Sequence, residues 1–214
     1  LKFITYPTRF DNRETERALK GSGISVPKLD GYAWRLWDYW ERHLDPDLFV
    51  DRTLKGKVRN KVVVVTGGSS GIGLSTAQRV AEAGAITVIV ARGEEELFKA
   101  RDEMKKAGGK VFAYTADLSD MADCDRLVAT TLKDHGHVDI LVNNAGRSIR
   151  RSIELSYDRF HDFERTMQLN YFGCLRLIMG FMPAMIQRRK GHIINISSIG
   201  VLASSPRFSA YVAS

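Results

Sequence analysis

Short apolar runs rich in β-branched residues alternate with amphipathic segments over most of the chain. The runs end in glycine or polar residues and are typical of buried parallel strands; they lie at 61–67, 86–91, 110–116, 138–144 and 192–197. Between them, apolar residues recur at helical spacing in 71–84, 94–109, 121–135 and 157–190. Strands and helices that alternate in this way predict an α/β protein with a doubly wound parallel sheet of Rossmann type.

The first 58 residues follow a different pattern, without this alternation. They contain all three tryptophans of the chain at helical spacing: Trp34, Trp37 and Trp40. The spacing predicts a helix with an aromatic face, which Asp45-Pro46-Asp47 ends. Such a face either docks another domain or subunit or packs on a core of its own. We expect 1–58 to be a helical N-terminal extension or interdomain connector and 59–214 to be one α/β domain.

Composition excludes some classes of protein. Hydrophobic residues make up 44% of the 214 residues, enough for a packed core, and no apolar run approaches the roughly 20 residues that a membrane span needs. Cys124 and Cys174 are the only cysteines, too few for a disulfide framework. We therefore expect neither a secreted disulfide scaffold nor a membrane-spanning protein, and we expect a cytoplasmic location.

The net positive charge of the chain is compatible with anionic partners. The formal net charge is +7, which favours nucleic acid, anionic lipid surfaces or phosphate-bearing small molecules. No block of lysine and arginine is long enough for a nucleic-acid tail, so nucleic acid is not expected as a partner. A small-molecule substrate and peripheral contact with lipid remain compatible with the charge.

The string TGGSSGIG at 66–73 is the strongest candidate for chemistry, because it lies where a strand gives way to a helix. In that context Gly67 permits the tight turn, Gly71 lets a pyrophosphate approach the backbone, and Gly73 lets helix and strand pack closely. The first-turn amides of the helix then face the phosphates. The string predicts that a dinucleotide is bound by Gly67, Ser69, Ser70, Gly71, Ile72 and Gly73.

The tip of the second strand predicts which dinucleotide is preferred. A fold that prefers NAD places an acidic residue there, about 20 residues beyond the glycines, on the ribose 2′-hydroxyl. This chain has Ala91 followed by Arg92, and a guanidinium forks onto phosphate. The pair favours NADP(H); the alternative is that Arg92 is an ordinary surface arginine.

Several motifs together resemble the short-chain dehydrogenase/reductase family over residues 60–214. They are TGGSSGIG, the pair Asp117-Leu118 after the third strand, NNAG at 143–146, Asn170, and Ser198 thirteen residues before Tyr211. The resemblance implies that Tyr211 protonates the substrate oxygen, that Ser198 hydrogen-bonds to that oxygen, and that Asn170 holds a water linked to a lysine. It also implies cofactor contacts at Asp117, Leu118, Asn144, Ala145 and Gly146.

Three stretches of sequence indicate which subgroup of the family the chain resembles. RSIRR at 147–151 and FHDFERTMQLNYFG at 160–173 look like bacterial long-chain fatty acyl-CoA reductases. LWDYWERHLDPDLF at 36–49 is similar to the connector of two-domain enzymes whose first domain is another dinucleotide-binding reductase. The resemblance implies NADPH-dependent reduction of fatty acyl-CoA to fatty aldehyde, a homo-oligomer, and a second reductase domain before residue 1.

Two other functions stay open. One is a reductase of the same fold that acts on a ketone or alcohol, such as a ketoacyl, steroid or polyol substrate. The other is a non-catalytic nucleotide-binding scaffold, against which the intact Asn170, Ser198 and Tyr211 argue. In the family a lysine follows the tyrosine by four residues, and this sequence ends at Ser214. We therefore expect a fold truncated after its fifth strand, part of a longer reductase, and no activity from the 214 residues alone.

Coenzyme A carries three phosphate groups, and the arginines after NNAG are candidates to bind them. We hypothesise that at least one of Arg147, Arg150 and Arg151 contacts it, because ligands bind at the carboxyl ends of the strands. The alternative is that these arginines form ion pairs at the surface or at a subunit interface.

The remaining polar clusters are expected to be structural. Asp158, Asp162 and Glu164 are interpreted as a solvated helix face. His135 and His137 flank a glycine but lack a third ligand, so no metal site is expected.

Overall fold

The computed structural model describes residues 11–25, 28–43 and 51–214. The chain divides into two units, Leu1–Val50 and Asp51–Ser214. The expected helix breaker Asp45-Pro46-Asp47 lies outside the described residues.

In the first unit, the described residues form helix α1 at Arg13–Leu19, a 3₁₀ turn at Leu29–Gly31 and helix α2 at Ala33–His43. Helix α2 carries the three tryptophans, as their spacing predicts. All three are exposed, and no residue of α2 is buried. A helix packed on its own core is therefore not seen in the described part of this unit, and docking of a partner stays a prediction.

The second unit is built on a parallel sheet, which confirms the predicted fold. Its strands are β1 (Val62–Thr66), β2 (Ile86–Ala91), β3 (Lys110–Thr115), β4 (Ile140–Asn143) and β5 (His192–Asn195). They lie in the order β3-β2-β1-β4-β5, and every neighbouring pair is parallel. Each strand coincides with one of the β-branched runs. The central strands β1 and β2 are buried on both faces, as such runs predict, whereas β3 and β5 are partly exposed.

Helices precede, connect and follow the strands. They are α3 (Leu54–Val58), α4 (Gly71–Glu82), α5 (Glu94–Lys106), α6 (Met121–His135), α7 (Phe160–Thr166), α8 (Cys174–Gln187), α9 (Gly200–Ala203) and α10 (Ser209–Val212). The helix predicted at 157–190 is interrupted, because a π-helical segment, Met167–Gly173, separates α7 from α8. Helix α3 belongs to this unit, and its Val58 is buried in the core.

The core consists of two apolar layers, one on each face of the sheet. Side chains of β1 alternate between them: Val63 and Val65 pack with α4 and α5, whereas Val62 and Val64 pack with α6 and α8. Burying a valine side chain fully contributes about 1.5–3 kcal/mol, so the central strand is stabilised from both faces. The strand order reverses between β1 and β4, and open α/β sheets bind ligands beyond the carboxyl ends of the strands at this point.

Among the described residues, one helical stretch, Phe160–Gln187, is long and apolar enough to cross a membrane by length and composition alone. The lengths of the apolar runs predict no membrane span. In this fold Leu177, Phe181 and Met185 of the stretch are buried in the core. Core helices of soluble proteins satisfy the same two criteria.

Candidate active site

Thr66, the last residue of β1, joins the glycine string to NNAG. Its buried hydroxyl donates to the carbonyl of Val142 (3.3 Å) and accepts the backbone N–H groups of Asn144 and Ala145 (2.9 Å each). The Asn144 side-chain amide donates back to the Thr66 carbonyl at 2.9 Å. The register of β1 and β4 brings the two motifs together, and Thr66 fixes them to each other. In the sequence, nothing distinguishes Thr66 from the other residues of the string.

Gly67 and Gly73 show why the string is rich in glycine. Gly67 has a φ of +65°, in the left-handed region that favours glycine. A Cβ on Gly73 would overlap the carbonyl oxygen of Gly67 and lie 2.5 Å from Asn144 Nδ2. These contacts support the close packing of helix and strand that the motif predicts.

Space for phosphate lies at the start of helix α4. A Cβ on Gly71 would meet no atom within 4 Å. The Ser70 side chain makes no capping hydrogen bond to the helix, so the first-turn N–H groups lack that partner. Free first-turn amides and the positive end of the helix dipole together favour an anion.

A cleft of about 560 Å³ lies beside these glycines. Its lining comes from the ends of β1, β2 and β4 and from the residues that follow β3. The predicted cofactor residues that line it are Gly67, Ser69, Ser70, Arg92, Leu118, Ala145 and Gly146. Of the others, Gly73 and Asn144 pack behind Gly67, and Ile72 is exposed on the first turn of α4. The structure thus brings most of the predicted cofactor residues to one place.

Arg92 and Asp117 face each other across the rim of the cleft. Arg92 Nη1 lies 4.0 Å from Asp117 Oδ2, and both side chains are largely exposed. Although burial alone raises the pKa of Asp117, hydrogen bonds from the Ser119 hydroxyl (2.7 Å) and amide (2.9 Å) bring it below its ordinary value. Asp117 is therefore ionised. A 2′-phosphate bound by Arg92 would lie close to this negative charge. Glu96 also lines the cleft.

A second cavity of about 410 Å³ shares Arg92 and Leu169 with the cleft. Arg147 and Arg165 line it, together with Asp117 and Glu164. Of the three arginines after NNAG, Arg147 lines this cavity. Arg150 is exposed at the surface.

Asn170 joins two segments of the site. Its Oδ1 accepts the backbone N–H of Arg147 (2.9 Å), and its Nδ2 donates to the Arg147 carbonyl (3.0 Å) and to Ser214 Oγ (2.8 Å). Ser214 in turn donates to the carbonyl of Tyr211 at 2.9 Å. Asn170 lies in the π-helical segment, and such segments are frequent at functional sites. Both of its amide protons are used within the protein. The water that the resemblance implies would therefore bond to the remaining acceptor position of Oδ1 or to the backbone of Asn170.

Ser198 and the helix that carries Tyr211 both lie beside Gly200. Ser198 Oγ accepts the N–H of Gly200 at 3.1 Å. A Cβ built on Gly200 would lie 3.3 Å from Ser198 Oγ and 3.6 Å from Cγ2 of Val212, the neighbour of Tyr211. The serine and the helix that carries the tyrosine therefore pack on the same glycine.

Asp162 corrects one interpretation made from sequence. Its side chain is only 6% exposed, and its carboxylate contacts the guanidinium groups of Arg151 (3.2 Å) and Arg159 (3.0 Å). Arg159 is the main cause that holds the pKa of Asp162 below its ordinary value, and Arg151 adds to it. Asp162 is thus a buried carboxylate paired with two half-buried arginines, not part of a solvated face, and Arg151 is engaged with it.

The two histidines considered as metal ligands have other contacts. His135 packs edge-on against Phe112, with ring centroids 4.6 Å apart, and His137 lies 3.2 Å from Asp139. In the part of the chain that the structure describes, no three His, Cys, Asp or Glu side chains are grouped to hold a metal ion.

Comparison with known proteins identifies the family. The sequence model of the short chain dehydrogenase family matches residues 61–214. The fatty acyl-CoA reductase of Acinetobacter baylyi is 52% identical over 165 residues, which cover 77% of this chain and 56% of that protein. The chain spans between 50% and 59% of the length of the curated relatives it matches.

Solved structures share the fold. A metagenomic short-chain oxidoreductase in complex with NADP has a TM-score of 0.69 and 33% identity, over 73% of this chain and 70% of that one. An NAD⁺-bound xylitol dehydrogenase has a TM-score of 0.69 and 29% identity, over 73% of this chain and 59% of that one. The chain belongs to the short-chain dehydrogenase family of oxidoreductases.

Proposed function

We propose that this chain is the reductase domain of an enzyme that reduces long-chain fatty acyl-CoA to fatty aldehyde, with NADPH as the hydride donor. The observation that carries the proposal is the Asn170 side chain, which joins the segment after NNAG to the segment of Tyr211. This contact supports a site in which Tyr211 works beside the dinucleotide cleft. The substrate class rests on the relative named fatty acyl-CoA reductase.

The residues of the cleft fit NADPH, which supplies a hydride when bound. The first-turn amides of α4, with Ser69 and Ser70, would hold the pyrophosphate. Arg92 would hold the 2′-phosphate, because the position before it is Ala91 rather than an acid. The solved relatives hold either NADP or NAD⁺, so the preference for NADPH rests on this pair of residues.

Tyr211 and Ser198 would act on the thioester carbonyl. As the carbonyl carbon accepts hydride, Tyr211 gives its phenolic proton to the oxygen, and Ser198 donates a hydrogen bond to the same oxygen. Ser198 Oγ already accepts the Gly200 N–H, so its own proton is left for the substrate. The resulting hemithioacetal breaks its C–S bond, and the sulfur leaves with the hydroxyl proton as the thiol of coenzyme A. The family lysine four residues after the tyrosine would assist Tyr211.

The phosphates of coenzyme A would lie near Arg147 and Arg165, in the second cavity. Arg150 would add to the positive field from the surface. Because the cavity adjoins the cleft at Arg92 and Leu169, an acyl-CoA there would be close to the dinucleotide.

The proposal extends to features of the whole protein. Its homo-oligomeric state and a second reductase domain before residue 1 rest on the resemblance, and peripheral lipid contact rests on the charge of +7. A cytoplasmic location rests on the two free thiols, of which Cys124 is buried.

Product analysis tests the proposal against its alternatives. The full-length protein is incubated with palmitoyl-CoA and NADPH, and trapped aldehyde and free thiol are measured together. We expect one aldehyde per thiol released. A polyol or ketone substrate turned over in place of palmitoyl-CoA would identify the second function, for which the xylitol dehydrogenase is a structural precedent. NADPH binding without turnover of any substrate would identify a scaffold.

A further inference from the structure

Helix α7 is linked to the Tyr211 segment by one direct contact and by one contact made through Arg151. In the direct contact, Thr166 Oγ1 lies 3.1 Å from the carbonyl oxygen of Ala210, the residue before Tyr211. In the other, the backbone N–H of Arg151, whose side chain is paired with Asp162 of α7, donates to the carbonyl of Arg207 at 2.7 Å. These are contacts between parts of the chain more than forty residues apart, so they fix tertiary rather than local geometry.

The Thr166 hydroxyl is fully buried and has one proton to donate. It lies 2.9 Å and 3.0 Å from the carbonyls of Asp162 and Phe163 in its own helix. The Phe163 carbonyl also accepts the N–H of Met167, so it has a partner without the hydroxyl. At the end of α10 the N–H groups of Ala213 and Ser214 bond to the carbonyls of Ser209 and Tyr211. The carbonyl of Ala210, between those two, is the acceptor near the Thr166 hydroxyl that lies outside helix α7.

Asp162 is linked to the Tyr211 segment indirectly, through Arg151. Its carboxylate is buried, contacts Arg151 and Arg159, and has His161 Nε2 at 3.4 Å. A buried carboxylate between two guanidiniums fixes the direction of both side chains. Because the Arg151 backbone carries the bond to Arg207, this ion pair fixes the loop that leads into α10.

We propose that Thr166 and Asp162 are positioning residues, which hold Tyr211 at the place where it donates its proton. The inference rests on the proposed role of Tyr211 and adds the two side chains that set its position. Neither residue touches the cleft, so their loss changes the proton-donation step and leaves dinucleotide binding in place. A misplacement of about 1 Å at a reacting group costs up to roughly a hundredfold in rate.

The first test compares Thr166→Val with Thr166→Ser in the full-length protein. Valine keeps the shape and removes the hydroxyl, whereas serine keeps the hydroxyl. We expect kcat per NADPH-binding site to fall about tenfold or more in Thr166→Val, with KM for NADPH within about twofold of wild type. Thr166→Ser should recover most of kcat. Thr131→Val is the matched control, because Thr131 is also a fully buried helical threonine and its hydroxyl has no hydrogen-bond partner.

Equal kcat per binding site in Thr166→Val, Thr166→Ser and Thr131→Val would overturn the inference for Thr166, since a merely structural role lowers the number of binding sites and not the rate of each. For the second residue, Asp162→Asn should lower kcat with little change in KM for NADPH. Its control is Asp125→Asn, which breaks the exposed pair of Asp125 with Arg176. An Asp162→Asn variant with the same kcat per binding site as Asp125→Asn would overturn the inference for Asp162.

Tyr211→Phe, measured in the same series, separates this inference from the proposed function. If Tyr211→Phe is inactive and Thr166→Val is not impaired, only the positioning inference fails. If Tyr211→Phe stays active, the proposed role of Tyr211 fails, and the inference fails with it.

Discussion

The side-chain amide of Asn170 lies 2.8 Å from the hydroxyl of Ser214, which itself donates to the carbonyl of Tyr211 at 2.9 Å. The same amide group is bonded at both ends to the backbone of Arg147. One side chain in a π-helical segment therefore sets the distance between the end of β4 and the helix of the proposed proton donor.

Replacing Asn170 by Asp tests this arrangement. Aspartate still accepts from the Arg147 N–H but donates to neither the Arg147 carbonyl nor Ser214. We expect kcat for acyl-CoA reduction to fall about ten- to a hundredfold and the free energy of unfolding to fall by about 1 kcal/mol. Asn12→Asp, which alters an exposed amide bonded to Glu16, is the control. A kcat equal to that of the control would contradict the arrangement.

Cofactor choice depends on Arg92. We expect NADPH to bind at least about tenfold more tightly than NADH, a difference of about 1.4 kcal/mol. Arg92→Ala should remove this difference by weakening NADPH alone, since only NADPH carries the 2′-phosphate. Fluorescence titration of both dinucleotides measures it, with Arg101→Ala, which alters an arginine paired with Asp102, as control. Equal affinities in the unmodified protein would show that Arg92 makes no phosphate contact.

Arg147 and Arg150 should differ in their contribution to acyl-CoA binding. Arg147 lines the second cavity and Arg150 is exposed. We therefore expect Arg147→Ala to raise KM for acyl-CoA about tenfold at low salt, and Arg150→Ala to raise it much less. The effect of Arg147→Ala should shrink as salt is added, because salt screens exposed charges. A KM for acyl-CoA unchanged in both variants at every salt concentration would make the cluster structural.

Stability should depend on pH through His135. Burial lowers the pKa of His135 from its ordinary 6.5, so the folded state disfavours its charged form. A lowered folded pKa contributes stability that is complete above 6.5 and is lost as the pH falls through the folded pKa. We expect the free energy of unfolding to decline from pH 7.5 to 5.5, and to decline less in His135→Asn. The exposed His192→Asn is the control, and equal slopes in all three proteins would contradict the prediction.

Much of the fold was predictable because burial on both faces of a parallel strand leaves a direct pattern. Runs such as 62–66 and 86–91 are apolar at nearly every position, and the structure has strands there. The cofactor cleft was predictable for a related reason, since a glycine needed for backbone conformation or close approach cannot be replaced, as Gly73 shows.

The positioning contacts were not predictable from local pattern. Asp162 has charged neighbours in sequence and has the pattern of a solvated face, and its burial depends on Arg151, which the fold brings in from eleven residues away. The interruption at Met167–Gly173 leaves no mark in hydrophobic spacing, because a single π-helical turn shifts the periodicity too little. Thr66 and Thr166 act through hydroxyls that bond to distant backbone groups, which only the tertiary structure determines.

The central claim is that Tyr211 gives the proton in NADPH-dependent reduction of acyl-CoA. The most direct measurement is single-turnover oxidation of NADPH by palmitoyl-CoA in full-length wild-type and Tyr211→Phe proteins, with NADPH affinity determined on the same samples. We predict that Tyr211→Phe binds NADPH nearly as tightly as wild type and has lost turnover, since the change removes the proton and little else. Turnover by Tyr211→Phe at a rate comparable to wild type would contradict the account.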